Sequence, residues 1–118
     1  KGLVIIAQMS TADTLTDENY IQKATKIGEA NKDLVIGFVA QQPISTDAGL
    51  LQFTPGVHLA AKDDNKGQTY NSPRIAFTQR GADFIIVGRG IYQNPNPEQA
   101  AILYKEAGWQ AYLQQVAE

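Results

Sequence analysis

The chain has 118 residues, a formal net charge of −2 and 43% hydrophobic residues, which is material for one globular domain and no more. Charged residues make up 19% with both signs mixed along the chain, so no basic face of the kind nucleic-acid binding needs is visible. Cysteine is absent, which excludes disulfides and thiolate metal sites, and the longest apolar runs, Leu3 to Ala7 and Phe84 to Val87, are too short to span a bilayer.

Leu3-Val4-Ile5-Ile6-Ala7 is apolar and β-branched, and it reads as a strand buried on both faces. A polar loop, Gln8 to Thr16, leads to Asp17, whose short carboxylate suits a helix N-cap. Ile21, Ala24, Thr25, Ile27 and Gly28 then recur at helical spacing until Asn31-Lys32-Asp33. Leu34 to Val39 is a second buried strand, followed by an irregular polar segment with Pro43 and Gly49. Leu50 to Pro55 is a third, shorter strand that ends in Thr54-Pro55-Gly56. Ala60 to Tyr70 is a loop rich in Lys, Asp, Asn and Gly. Asn71-Ser72-Pro73 then opens a short helix with proline in its favoured first turn. Asp83 to Val87 is a fourth strand running straight into Gly88-Arg89-Gly90, and Asn96-Pro97-Glu98 starts a last helix that reaches about Val116.

Strands alternating with helical segments are the signature of parallel βα units, so the expected class is α/β. The strands are apolar throughout, so both faces of the sheet need cover, and helices on one face leave the other wanting a partner. The pattern fits a small open sheet or half of an eight-stranded barrel, and periodicity does not separate the two. The opening Lys-Gly is followed by neither a signal-peptide core nor a cleavage site, so a soluble cytoplasmic protein is expected.

Gly88-Arg89-Gly90 stands at a strand end, where glycine admits a ligand close to the backbone and the guanidinium fork matches phosphate oxygens. A tight turn with a solvated arginine is the plain alternative. Gly67-Gln68-Thr69-Tyr70 gathers an amide, a hydroxyl and a phenol that can donate to an anion, or it is simply a solvated loop. Pro55 in Thr54-Pro55-Gly56-Val57 offers a flat apolar ring or merely stops a strand. Ser10, at the end of the first strand, can bond a base or sugar or cap its own loop. His58 is the sole histidine and has no nucleophile at a recognisable spacing, so a catalytic triad is not expected. Asp63 and Asp64 could pass for half of a metal site, but no second ligand group supports one, and no metal is expected. Tyr104, Trp109 and Tyr112 read as packing residues of the last helix.

The order of Leu3 to Ser10, Asp33 to Val39, Leu51 to Val57, Asp64 to Tyr70, Asp83 to Gly90 and Tyr104 to Leu113 resembles the C-terminal half of orotidine 5'-phosphate decarboxylases. The likeness is greatest to the form in fungi and in the animal bifunctional uridine monophosphate synthase. It covers nearly the whole chain through Thr-Pro-Gly-Val, Gly-Gln-x-Tyr, Ile-Ile-Val-Gly-Arg-Gly and the Ala-Gly-Trp helix.

The resemblance implies strands five to eight of a TIM (β/α)8 barrel, completed by a separate or missing N-terminal half barrel, in an enzyme that works as a homodimer without cofactor. The implied reaction is loss of carbon dioxide from orotidine 5'-phosphate to give uridine 5'-phosphate. Ser10 matches the serine that bonds the pyrimidine, and Pro55 the residue near the base. Gln68 and Tyr70, with Thr69 between them, match the loop that grips the phosphate, and Gly88 and Arg89 match the remaining phosphate site.

Departures are Gln8, where the family often has Glu, and Thr69, where Gln is frequent. The loop after Ser10 reads Thr-Ala-Asp-Thr-Leu in place of a Ser/Gly-rich version. The family's catalytic Lys-Asp-Lys-Asp set belongs to strands two and three, and no Asp-x-Lys-x-x-Asp pattern occurs in these residues, so no catalytic residue is expected in this chain. A sugar-phosphate-acting relative and a non-catalytic half-barrel module are the competing expectations.

Overall fold

A computed structural model describes residues 1–10, 15–59 and 71–117. The order of elements is β1 (Leu3–Ile6), α1 (Glu18–Ala30), β2 (Val35–Val39), β3 (Leu51–Thr54), α2 (Pro73–Thr78), β4 (Phe84–Ile85), α3 (Arg89–Tyr92) and α4 (Pro97–Ala117). The four strands form one sheet in the order β1-β2-β3-β4, every pairing parallel. Strand order follows chain order with no reversal, so the sheet is wound in a single direction.

β4 keeps only two residues in the ladder, fewer than the Asp83–Val87 expected. Its pairing nevertheless extends at both ends, because Asp83 N–H donates to Gln52 C=O (3.0 Å) and Ile86 N–H to Thr54 C=O (2.9 Å).

α1 begins where Asp17 accepts a hydrogen bond from the Tyr20 N–H at 2.8 Å, as its side chain predicts. Its buried stripe is Ile21, Ala24, Thr25 and Gly28, while Ile27, expected on that face, is exposed. Position 27 falls on the flank of the stripe, about 100° per residue around the helix. Thr25 is buried without penalty because its hydroxyl donates to Ile21 C=O at 2.7 Å. Phe38 on β2 packs with Ala7 and Ala24, flanked by Ile5, Ile44 and Leu50. No helix joins β2 to β3, and Ile44 and Leu50 of that connection supply the cover a helix would give.

The other half of the core is Val57, Ala76, Phe77, Ala82, Tyr104 and Ala111, with Ile85, Val87 and Ile91 against it. It joins α2 and α4 to β4. Gln115 on α4 donates to the carbonyls of Phe77 (2.8 Å) and Ala82 (3.0 Å) and so locks the two helices. Beneath them Gln52 donates to Thr54 Oγ1 and to Arg80 C=O, both at 2.8 Å, so this buried polar pair is satisfied.

Phe38 faces α1, so its row across the sheet, Ile5-Phe38-Gln52, is the helix side. The adjacent row, Ile6-Val39-Phe53-Phe84, lies on the opposite side by strand alternation. There Phe53 and Phe84 stack with ring centroids 4.9 Å apart, and Ile6 and Phe84 are about half exposed, at 50% and 49%. The expectation of strands buried on both faces is therefore corrected: among the described residues one face is covered, and Ile6 and Phe84 on the other stay about half exposed.

Gly28 leaves the space that the Phe38 ring occupies, since a Cβ at position 28 would run into that ring. Gly28→Val is expected to lower stability by about 1–3 kcal/mol through overpacking, read as a lower urea midpoint at unchanged m-value. A midpoint equal to that of the parent chain would show that the α1–β2 contact is loose.

Candidate functional site

Parallel pairing carries the C-terminal ends of all four strands to one edge of the sheet. Beyond β3 the chain passes through Pro55 into Gly56, whose φ of 69° is the left-handed region that favours glycine. This turn sends Val57 and His58 across the top of the sheet, and Val57 is paired with Asn71 by an isolated parallel bridge. Beyond β4 the chain passes through Gly88 into α3, a single turn in which the Ile91 and Tyr92 N–H groups donate to Gly88 C=O. Gly88 has φ −108°, so no left-handed backbone demands glycine there. The tight turn that was the plain alternative at Gly88-Arg89-Gly90 is in the structure the entry to a helix.

The two loops face each other across a cavity of about 200 Å³ lined by Pro55, Gly56, Val57, His58, Ile86, Gly88, Arg89, Gly90 and Tyr92. Three of the expected site residues, Pro55, Gly88 and Arg89, thus meet at one place. The β3 side of the wall sets the apolar Pro55 and Val57 beside His58, and the other side carries the exposed Arg89, a pairing suited to a ligand with an apolar part and an anionic part. Ser10 lies on the same edge at the end of β1 but does not line this cavity, because β2 stands between β1 and β3. Gln68, Thr69 and Tyr70 fall outside the described residues, as do Asp63 and Asp64. Among the described residues no group of His, Asp or Glu is placed to hold a metal ion, and no helix is long and apolar enough to cross a membrane.

Tyr92 and Tyr104 are site features that sequence reasoning missed. Tyr92 lines the cavity. Tyr104 is buried in α4 as the packing reading expects, but its hydroxyl also accepts the Leu59 N–H at 3.1 Å. The same hydroxyl sits where a side chain at Gly90 would begin, so Gly90 is what lets α3 approach α4. His58 meets the Tyr104 ring edge-on at 6.4 Å. One phenol therefore ties the chain leaving β3 to the helix carrying Arg89. The available signal was the i, i+4 series Tyr104, Gly108 with Ala100 and Ala111, which marks the buried stripe but says nothing about the hydroxyl's partner.

A singly wound parallel sheet with a cavity at its C-terminal edge defines a protein of the α/β class. The model of the orotidine 5'-phosphate decarboxylase / HUMPS family matches residues 1–104, and the chain belongs to that family. It is similar to the uridine 5'-monophosphate synthase of Bos taurus, at 41% identity over 117 residues, covering 99% of this chain and 24% of the relative. The uridine 5'-monophosphate synthase of Naegleria gruberi is 44% identical over 117 residues, with 98% and 24% covered. The orotidine 5'-phosphate decarboxylase of Mucor circinelloides f. lusitanicus is 41% identical over 119 residues, with 98% and 45% covered. The chain thus spans less than half the length of these curated relatives.

Tyr104→Phe removes the acceptor of the Leu59 N–H while keeping the ring. The expected cost is about 1 kcal/mol, that of one partly buried hydrogen bond, seen as a lower urea midpoint. An unchanged midpoint would mean the hydroxyl holds nothing.

Proposed function

We propose that this chain is the C-terminal half of a (β/α)8 barrel that decarboxylates orotidine 5'-phosphate to uridine 5'-phosphate, and that it supplies the grip on phosphate and base. The observation that carries this reading is the meeting of Pro55, Gly88 and Arg89 around one cavity, in a chain of this family. The single direction of winding supports an arc of a barrel, since a doubly wound open sheet reverses its strand order. The open row Ile6-Val39-Phe53-Phe84 is then the inward-pointing layer, which strands of the N-terminal half would meet.

Within this reading Arg89 holds the phosphate with charge-assisted hydrogen bonds, joined by Gln68, Thr69 and Tyr70, while Gly88 admits the phosphate close to the backbone. Pro55 lies beside the pyrimidine and Ser10 bonds it. The groups that act on the departing carboxylate and protonate the ring carbon come from the N-terminal half, and no cofactor takes part. Remote phosphate contacts still speed the reaction, because binding energy realised away from the reacting atoms can be spent on orienting them. A dimer of complete barrels and a cytoplasmic location belong to the same proposal.

Two measurements bear on it. In the full-length protein Arg89→Ala is expected to lower kcat/KM for orotidine 5'-phosphate by on the order of a hundredfold, equal to a few kcal/mol for a lost charged hydrogen-bond partner. A value within about a factor of two of the parent would remove Arg89 from the site. The 118-residue chain alone is expected to show no decarboxylation, and activity in the purified chain would overturn the division of labour.

A further inference from the structure

Past Thr54, β3 leaves the sheet, and the ladder with β4 ends at the Ile86 N–H to Thr54 C=O bond. The Pro55–His58 wall of the cavity therefore needs other support, and two side-chain amides with their backbones provide it. The Gln41 side chain, just beyond β2, donates from Nε2 to Pro55 C=O at 3.3 Å. Asn71 donates its backbone N–H to Gly56 C=O at 2.7 Å, and its own carbonyl accepts the His58 N–H at 2.9 Å. The two residues are joined directly, Asn71 Nδ2 donating to Gln41 Oε1 at 3.1 Å. Gln41 is anchored in turn to the chain just beyond β1, where Gln8 Oε1 accepts the Gln41 N–H at 3.0 Å. Asn71 is only 5% exposed.

We propose that Gln41 and Asn71 are positioning residues that hold the Pro55–His58 wall in register with Arg89, so that a ligand engages wall and arginine at once. This rests on the phosphate-and-base reading given above. The chemistry of the pair suits the task. Both amides present donor and acceptor together, so each bond fixes the next. Both are neutral, so neither competes with Arg89 for an anion. A displacement of the wall by even about 1 Å costs a ligand its simultaneous fit at two points, an effect that can reach about a hundredfold. Either part of the ligand alone has no such fit to lose.

The test uses the full-length protein and the competitive inhibition constants of uridine 5'-phosphate, uridine and inorganic phosphate. For Asn71→Leu, inhibition by uridine 5'-phosphate is expected to weaken about tenfold or more, as a lost buried hydrogen bond allows, with uridine and inorganic phosphate within about twofold of the parent. Gln41→Met should behave alike and carries the same comparison where Asn71→Leu does not fold. The double variant should be no worse than Gln41→Met, because that change already removes the Asn71–Gln41 bond together with the bond to Pro55 C=O. Equal weakening of all three ligands, fully additive effects, or an unchanged constant for uridine 5'-phosphate would each overturn the proposal. Arg89→Ala separates the two levels. Where it weakens uridine 5'-phosphate and the amide variants do not, only this inference falls. Where Arg89→Ala changes nothing, the phosphate reading falls and the inference with it.

Discussion

A parallel sheet has two faces to cover, and the described residues of this chain cover one. α1, the connection from β2 to β3, and the α2–α4 pair all pack on the side marked by Phe38, Gln52 and Ile85. On the other side Ile6 and Phe84 stay about half exposed. Full burial of such side chains contributes about 1.5–3 kcal/mol each, against a total stability of roughly 5–15 kcal/mol for a domain. Two such side chains left half exposed therefore matter to the whole balance, and a sheet of this kind calls for a second layer.

The same constraint places the site. With helices on one side only and strands all parallel, every loop that follows a strand emerges at one edge. Arg89 and Pro55 come together there because β3 and β4 are neighbours, whereas Ser10 is kept away by the intervening β2. Tyr104 and the Gln41–Asn71 pair then tie the loops to one another and to α4, so the edge is braced by side chains where the ladder stops. The ladder spaces the strand ends, and these few polar contacts continue the support into the loops beyond them.

Much of this was legible in the residues. Asp17 announced the start of α1 and Ser72-Pro73 that of α2, because capping and a first-turn proline act within one helical turn. The apolar runs marked four strands, and their boundaries shifted by only a residue or so, except at β4. There the ladder is short because β3 leaves the sheet past Thr54, whose carbonyl takes the last bond, from the Ile86 N–H. Ile27 was misplaced because it sits at the margin of the buried stripe, where spacing alone cannot say which way a residue points.

By itself the sequence determined the local elements, the parallel α/β class and, through a run of motifs, the family, because each is written in residues close together along the chain. Tertiary structure alone decided which of the candidate residues share a cavity and which face of the sheet stays bare. It also decided what holds the loops. Tyr104 is 45 positions from Leu59, and Asn71 is 30 from Gln41. Contacts at that separation depend on strand order and packing, which no local pattern encodes.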